Sequence, residues 1–112
     1  MILYLTSTKP NSTKRFTAYF LDGREISFGL KGGKTYIDHK DDEKRINYWK
    51  RHYGNKTEKK LIKNLVPSPA LLSAMLLWNT GDLTKNIEIL NNLWKIKHKL
   101  LKNQILSVRN LT

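Results

Sequence analysis

The sequence contains no cysteine in its 112 residues. Disulfides, thiolate metal sites and thiol nucleophiles are excluded together. Acid is scarce as well: nine Asp and Glu stand against 21 Lys and Arg, for a formal net charge of +12. Long apolar runs are also missing. The most apolar stretch, Ala70 to Trp78, falls far short of the ~20 residues that a bilayer-spanning helix requires, so no membrane role is expected. Met1-Ile2-Leu3-Tyr4-Leu5-Thr6 is too short for a signal-peptide core and has no basic flank before it, so the chain is not expected to be secreted. Without export, the Asn-x-Ser/Thr triplets at Asn11, Asn55 and Asn110 are accidental. No internal repeat or low-complexity tract is visible.

What is present suits one folded unit. Hydrophobic residues make up 39% and charged residues 27%, ordinary globular values that argue against wholesale disorder. The basic excess has two sources. Ten Asn accompany the lysines, a pairing that AT-rich coding writes into any protein. The remainder calls for a polyanionic partner, nucleic acid or an acidic protein surface, or for a highly solvated exterior.

Pattern divides the chain near residue 66. Arg15 to Leu21 is rich in aromatic and branched residues, Asp22-Gly23 is a two-residue turn signal, and Arg24 to Gly29 alternates polar with apolar. A β-hairpin is predicted there. Ile2 to Thr6 offers a third strand, which a hairpin needs for stability. Asp41 or Asp42 caps a helix that runs to about Tyr53 and stops at Gly54-Asn55. Ile46, Trp49 and Tyr53 fall on one face of it, with Lys44, Arg45, Lys50 and Arg51 largely on the others. Lys56 to Lys63 reads as a basic loop or a short helical turn. Ser68-Pro69 then opens a buried central helix, Ala70 to Trp78, which Asn79-Thr80-Gly81-Asp82 breaks.

The last helix is predicted from about Asp82 to past residue 100. One apolar stripe runs Leu83, Ile87, Leu90, Trp94, His98, Leu101, Ile105, Val108; beside it runs a second, Ile89, Leu93, Ile96, Leu100. Two stripes exceed what a small core uses. The surplus is a candidate surface for self-association or for contact within a larger particle. The expected architecture is α+β: a small N-terminal antiparallel hairpin or sheet packed on about three helices, with residues 1–97 as the domain and 98–112 as a C-terminal helical extension.

Three chemistries compete for the middle of the chain. Gly29-Leu30-Lys31-Gly32-Gly33-Lys34-Thr35 resembles a phosphate-binding loop, but only three residues separate its first glycine from Gly-Lys-Thr where four are required. Tyr36-Ile37 also reads as extended, not as the helix that should follow. Asp38, His39, Asp41, Asp42, Glu43 and His52 are the material of a metal-dependent nuclease, yet the acids sit where helix starts favour them, and the histidines lack ligand spacing. No catalytic residue, metal or cofactor is assigned. The third candidate is stronger. Residues 44 to 63 hold eight Lys or Arg against Glu58 alone, a local balance of +7. Lys44, Arg45, Lys50, Arg51, Lys59 and Lys60 are the residues predicted to meet phosphate, with Tyr48 or Tyr53 available to stack on a base if exposed.

The order Phe28-Gly29-x-Lys31-Gly32, Tyr36, His39-Lys40-Asp41, Glu43-x-Arg45, Tyr48, Arg51-His52 and Ser73-x-x-Leu76-Leu77-Trp78, then Leu83 and Ile87, resembles a family of small uncharacterised proteins of nucleocytoplasmic large DNA viruses. Lys9-Pro10 and Arg15-Phe16-x-Ala18-Tyr19-Phe20 fit its opening. The resemblance spans roughly residues 7 to 96 and leaves the tail after about Lys97 outside it. It implies a viral origin and a place in the virion, host cytoplasm or viral factory, and no activity. The expected function is a non-enzymatic, virion-associated basic protein that binds nucleic acid or another polyanion without sequence specificity. The alternative is a minor capsid or cement protein.

Overall fold

The computed structural model describes the backbone of residues 1–111 and the side chains of residues 1–103. Three strands, β1 (Ile2–Ser7), β2 (Phe16–Phe20) and β3 (Glu25–Phe28), form an antiparallel sheet in chain order. The predicted hairpin is β2 and β3, turned at Asp22-Gly23, where Gly23 takes φ 92 at no steric cost. The predicted third strand, β1, pairs along β2. A register shift between Ile2 and Tyr4 lets Ile2 and Leu5 both reach the core while Leu3 and Tyr4 face outward. The core side of the sheet carries Ile2, Phe20, Leu5, Ala18, Ile26, Phe16 and Phe28.

Five helical elements follow: α1 (Tyr36–His39), α2 (Asp42–Tyr53), α3 (Lys56–Lys63), α4 (Pro69–Leu72, continuing as a π-helical turn over Ser73–Leu77) and α5 (Leu83–Leu111). The fold is α+β, with more helix than expected. Tyr36 and Ile37 are helical, not extended, because Asp38 reaches back to accept from the Thr35 backbone N–H (2.8 Å) and hydroxyl (2.9 Å), satisfying orphan donors at the start of α1. Lys56 to Lys63, expected as a loop or a short helical turn, is an eight-residue helix. Asn55, which reads as the stop of α2, is the N-cap of α3, accepting from the Glu58 N–H at 3.1 Å.

Helix α4 sits at the centre as predicted, opened by Ser68 accepting from Leu71 N–H (3.2 Å) with Pro69 in the first turn. Leu71, Leu72, Leu76 and Leu77 are completely or almost completely buried, each contributing about 2–3 kcal/mol by removal from water. Gly29 leaves the sheet beside them at φ 78, with any Cβ only 3.2 Å from both Arg15 Cβ and Leu77 Cδ1. Backbone conformation and space both require glycine there.

Helix α5 opens at Asp82, whose carboxylate accepts from Lys85 N–H, and buries Asn86 and Leu90. Its first stripe packs as far as Trp94, whose Nε1–H donates to Leu65 O at 2.8 Å. Lys97 Nζ donates to Asn64 O, a further tie to the body. Residues 95–103 are exposed, with Ile96 56%, Leu100 57% and Leu101 49% accessible. Ile105 and Val108, the end of the first stripe, lie outside the residues whose side chains are described. Among the described residues, no helix is long and apolar enough to cross a membrane.

Candidate functional site

Helix α4 ends at Leu77 and leaves carbonyls without intrahelical partners, which side chains from α2 satisfy. Trp78 O accepts from Trp49 Nε1 (2.8 Å) and Arg45 Nε (3.1 Å); Asn79 O accepts from the same Arg45 Nε at 2.7 Å. Arg45 also lies over the Tyr36 ring, 5.6 Å from its centroid. These bonds fix the rotation of α2. Tyr48, not Ile46, becomes its buried residue: Tyr48 is 8% exposed and Ile46 49%. The inward face is Arg45, Tyr48, Trp49 and His52, a quarter-turn or so from the Ile46, Trp49 and Tyr53 face that hydropathy selects.

With α2 set this way, rings form a column. Tyr48 stacks on Trp78 (4.4 Å, 6° between planes) and on its other side meets His52 (4.1 Å). His39 meets Trp78 edge-on at 5.4 Å. Burial raises the Tyr48 phenol far above its usual range, with Glu58 adding to the rise and Arg51 opposing it. Tyr48 is therefore not available to stack on a base. Tyr53, 38% exposed, lies away from the column with Lys59 Nζ 5.6 Å from its ring centre.

The column lines two adjoining hollows of about 700 and 230 Å³, which share Lys34, Tyr48, Arg51 and Trp78. The glycine turn after Gly29 and α2 contribute to both hollows, and α3 and α4 complete the lining of the larger one. Lys14 lines the larger hollow and Lys44 the smaller. Lys44 and Arg51 stand two helical turns apart on one stripe of α2, and Lys34 comes from the glycine turn. Lys14, Lys34, Lys44 and Arg51 are exposed, and none lies within ion-pair distance of a carboxylate among the described residues. Glu58 is the acid in the lining. It accepts from His52 Nδ1–H at 2.6 Å, and His52 Nε2 in turn accepts from Arg51 Nη2–H at a long 3.4 Å.

The six residues predicted to meet phosphate separate. Lys44 and Arg51 line the cleft. Arg45 is bound into the fold by its Nε. Lys50 lies about a third of a turn round α2 from the Lys44 stripe, exposed and away from the cleft. Lys59 and Lys60 are exposed on α3, outside the cleft lining. Lys34 joins from the glycine turn ten residues before the basic segment, and Lys14 from further back in the N-terminal half. Lys34 had a signal in the glycine-rich turn; Lys14 had none.

Among the described residues, neither competing constellation is brought together. The start of α1, where a phosphate would need free N–H groups, is filled by the Asp38 carboxylate. Arg15 holds that carboxylate with two bonds of 2.7 and 2.8 Å, and it stays ionised well below the usual carboxylate range. Asp41 caps α2 by accepting from Lys44 N–H, Asp42 accepts from the Tyr36 hydroxyl at 2.6 Å, and His39 Nδ1 accepts from Asp41 N–H. Among the described residues, no three His, Asp or Glu side chains gather as a metal site.

Residues 6–52 match the model of a family of unknown function, DUF5754. This span runs from the end of β1 through nearly all of α2 and includes Lys14, Lys34, Lys44 and Arg51, the four cations of the cleft. No curated protein and no solved structure matches the chain.

Proposed function

We propose that this is a non-enzymatic basic protein that holds a polyanion, nucleic acid foremost, in the cleft between the glycine turn and α2. One observation carries the reading: Lys34 and Arg51 line both of two adjoining hollows, Lys14 joins them in the larger and Lys44 in the smaller, and the acid of the lining, Glu58, is already held by His52. Such cations neutralise phosphates and release counterions, which gives affinity that falls steeply with salt and does not depend on base sequence. A shift assay with mixed-sequence DNA and RNA across a salt series tests this. Binding that weakens with a linear dependence on log salt is expected; no binding at low salt, or binding indifferent to salt, rejects it. The setting proposed with it is the virion or factory of a large DNA virus, on the strength of the spaced residues between Lys9 and Ile87.

A minor capsid or cement role is the second reading, supported by the exposed Ile96, Leu100 and Leu101 on the projecting end of α5. Leu100→Glu with Leu101→Glu should then abolish self-association or particle incorporation while leaving thermal unfolding unchanged. Unaltered association in that variant removes the support.

A further inference from the structure

We infer that the cleft takes single-stranded nucleic acid in preference to duplex, an inference that rests on the polyanion reading above. Shape is the first reason. Duplex readers insert a protruding helix or β-ribbon into a groove, whereas Lys44 and Arg51 of α2 line hollows together with Lys34 from the glycine turn. Double-stranded DNA is stiff, with a persistence length of ~50 nm, and presents a convex rod that meets only the rim of a concavity. A single strand bends into it.

The lining supplies the second reason. Between the cations lie Leu30, Leu61, Pro69 and the half-buried Trp78, apolar and aromatic surfaces that phosphate alone does not use. A ligand must bring apolar faces along with its charge. Bases of a single strand are unpaired and expose those faces, while a duplex hides them in its stack. Cations together with apolar and aromatic surface in one lining are the pattern of a groove that tracks a single strand. The remaining cations, Lys50, Lys59 and Lys60, lie outside the cleft and add long-range attraction without strand selectivity.

Fluorescence anisotropy with the full chain and a labelled oligonucleotide of about 15 residues, single-stranded or annealed to its complement, tests the inference; that length matches single-strand site sizes of up to ~16 nucleotides. The single strand should bind at least ~10-fold tighter at moderate salt. Lys34→Ala, Lys44→Ala and Arg51→Ala combined should reduce the slope of log affinity against log salt by about 2, at ~0.7 for each single-strand phosphate no longer neutralised. Lys50→Ala, Lys59→Ala and Lys60→Ala combined should leave both the slope and the strand preference nearly unchanged. Equal or tighter duplex binding overturns the strand preference and leaves the polyanion reading standing, as does an equal loss from the second triple variant. Binding to neither form removes the polyanion reading itself.

Discussion

Arg45 and Arg51 lie on the same helix and end in opposite circumstances. Arg45 faces the seam where α2 meets the end of α4, and the carbonyls of Trp78 and Asn79 take its Nε–H. Arg51 lines the cleft, where its Nη2–H makes a long 3.4 Å bond to His52 Nε2 and no carboxylate lies within ion-pair distance among the described residues. The seam pairs most of its polar groups, although His39 Nε2, buried beside Trp78, has no partner among the described residues. Trp49 shares the Trp78 carbonyl, Asn86 takes those of Leu76 and Thr80, and Arg15 holds Asp38. At the cleft, Lys14, Lys34 and Lys44 extend charge into solvent. Cations of one sequence segment are thus sorted by whether the fold offers them an acceptor, and helix ends, with their orphan carbonyls, are where it does.

The sharpest break of this contrast is Asn86→Ala on the seam side. Asn86 is fully buried and uses all its capacity: Nδ2 donates to Leu76 O (2.8 Å) and Thr80 O (3.0 Å), while Oδ1 accepts from Thr80 N (3.0 Å) and Thr80 Oγ1 (2.6 Å). Removing it leaves several buried groups unpaired and should cost about 2–4 kcal/mol in urea unfolding. It also loosens the turn that presents Trp78 O and Asn79 O, so Arg45 should lose its seat at the same time.

Asp38→Asn comes next. The Arg15 guanidinium is the main cause that holds the Asp38 carboxyl low, with the Thr35 N–H and hydroxyl adding to it against partial burial. A group with its folded pKa depressed contributes stability that is whole above its unfolded value, ~3.9, and is lost as pH falls toward the folded value. The variant should be less stable than the parent by about 1–2 kcal/mol at pH 7, a figure discounted for side chains still a fifth to a quarter exposed. That gap should narrow as unfolding is followed below pH 4. A gap that stays constant under acid would show that the ion pair contributes nothing.

How far the sequence reveals these two regions differs for physical reasons. The hairpin, the Ser68-Pro69 start and the long last helix rest on local signals, and local signals are legible: a turn at Asp22-Gly23, a cap before a proline, a 3.6-residue period. The rotation of α2 is not local. Hydropathy ranks Ile46 above Tyr48, yet the bonds from Arg45 and Trp49 to one carbonyl, 33 and 29 residues away, turn Tyr48 inward. Asn86 is illegible for the same reason, since a polar residue on an apolar stripe finds its acceptors in a loop that only the fold brings near. Of the cleft, the α2 cations Lys44 and Arg51 could be picked out by charge density. Lys14 could not, because nothing in its own neighbourhood distinguishes it from other surface lysines.

Arg45→Ala sharpens the comparison further. Its Nε is one donor shared by two carbonyls, and those carbonyls keep Trp49 or solvent as partners, so the loss should be about 1 kcal/mol by thermal or urea unfolding. Single-strand affinity should stay within about twofold, since neutralised phosphates carry the salt slope and Arg45 neutralises none. A large loss of binding with little loss of stability would reverse its assignment to the seam.

Lys44→Ala with Arg51→Ala should have the smallest effect on folding. Neither side chain meets a carboxylate among the described residues, both are exposed, and the α2 cap at Asp41 uses the Lys44 backbone N–H, which alanine retains. Exposed substitutions of this kind change stability by no more than about 0.5 kcal/mol. Removing two like charges that converge on one cleft relieves repulsion, so the change should fall on the stabilising side of zero and shrink when salt is raised to screen it. Stability measured at low and high salt therefore separates the two regions without any ligand present: cations held by short bonds to carbonyls or carboxylates cost stability when removed, and cations gathered with no carboxylate partner return it.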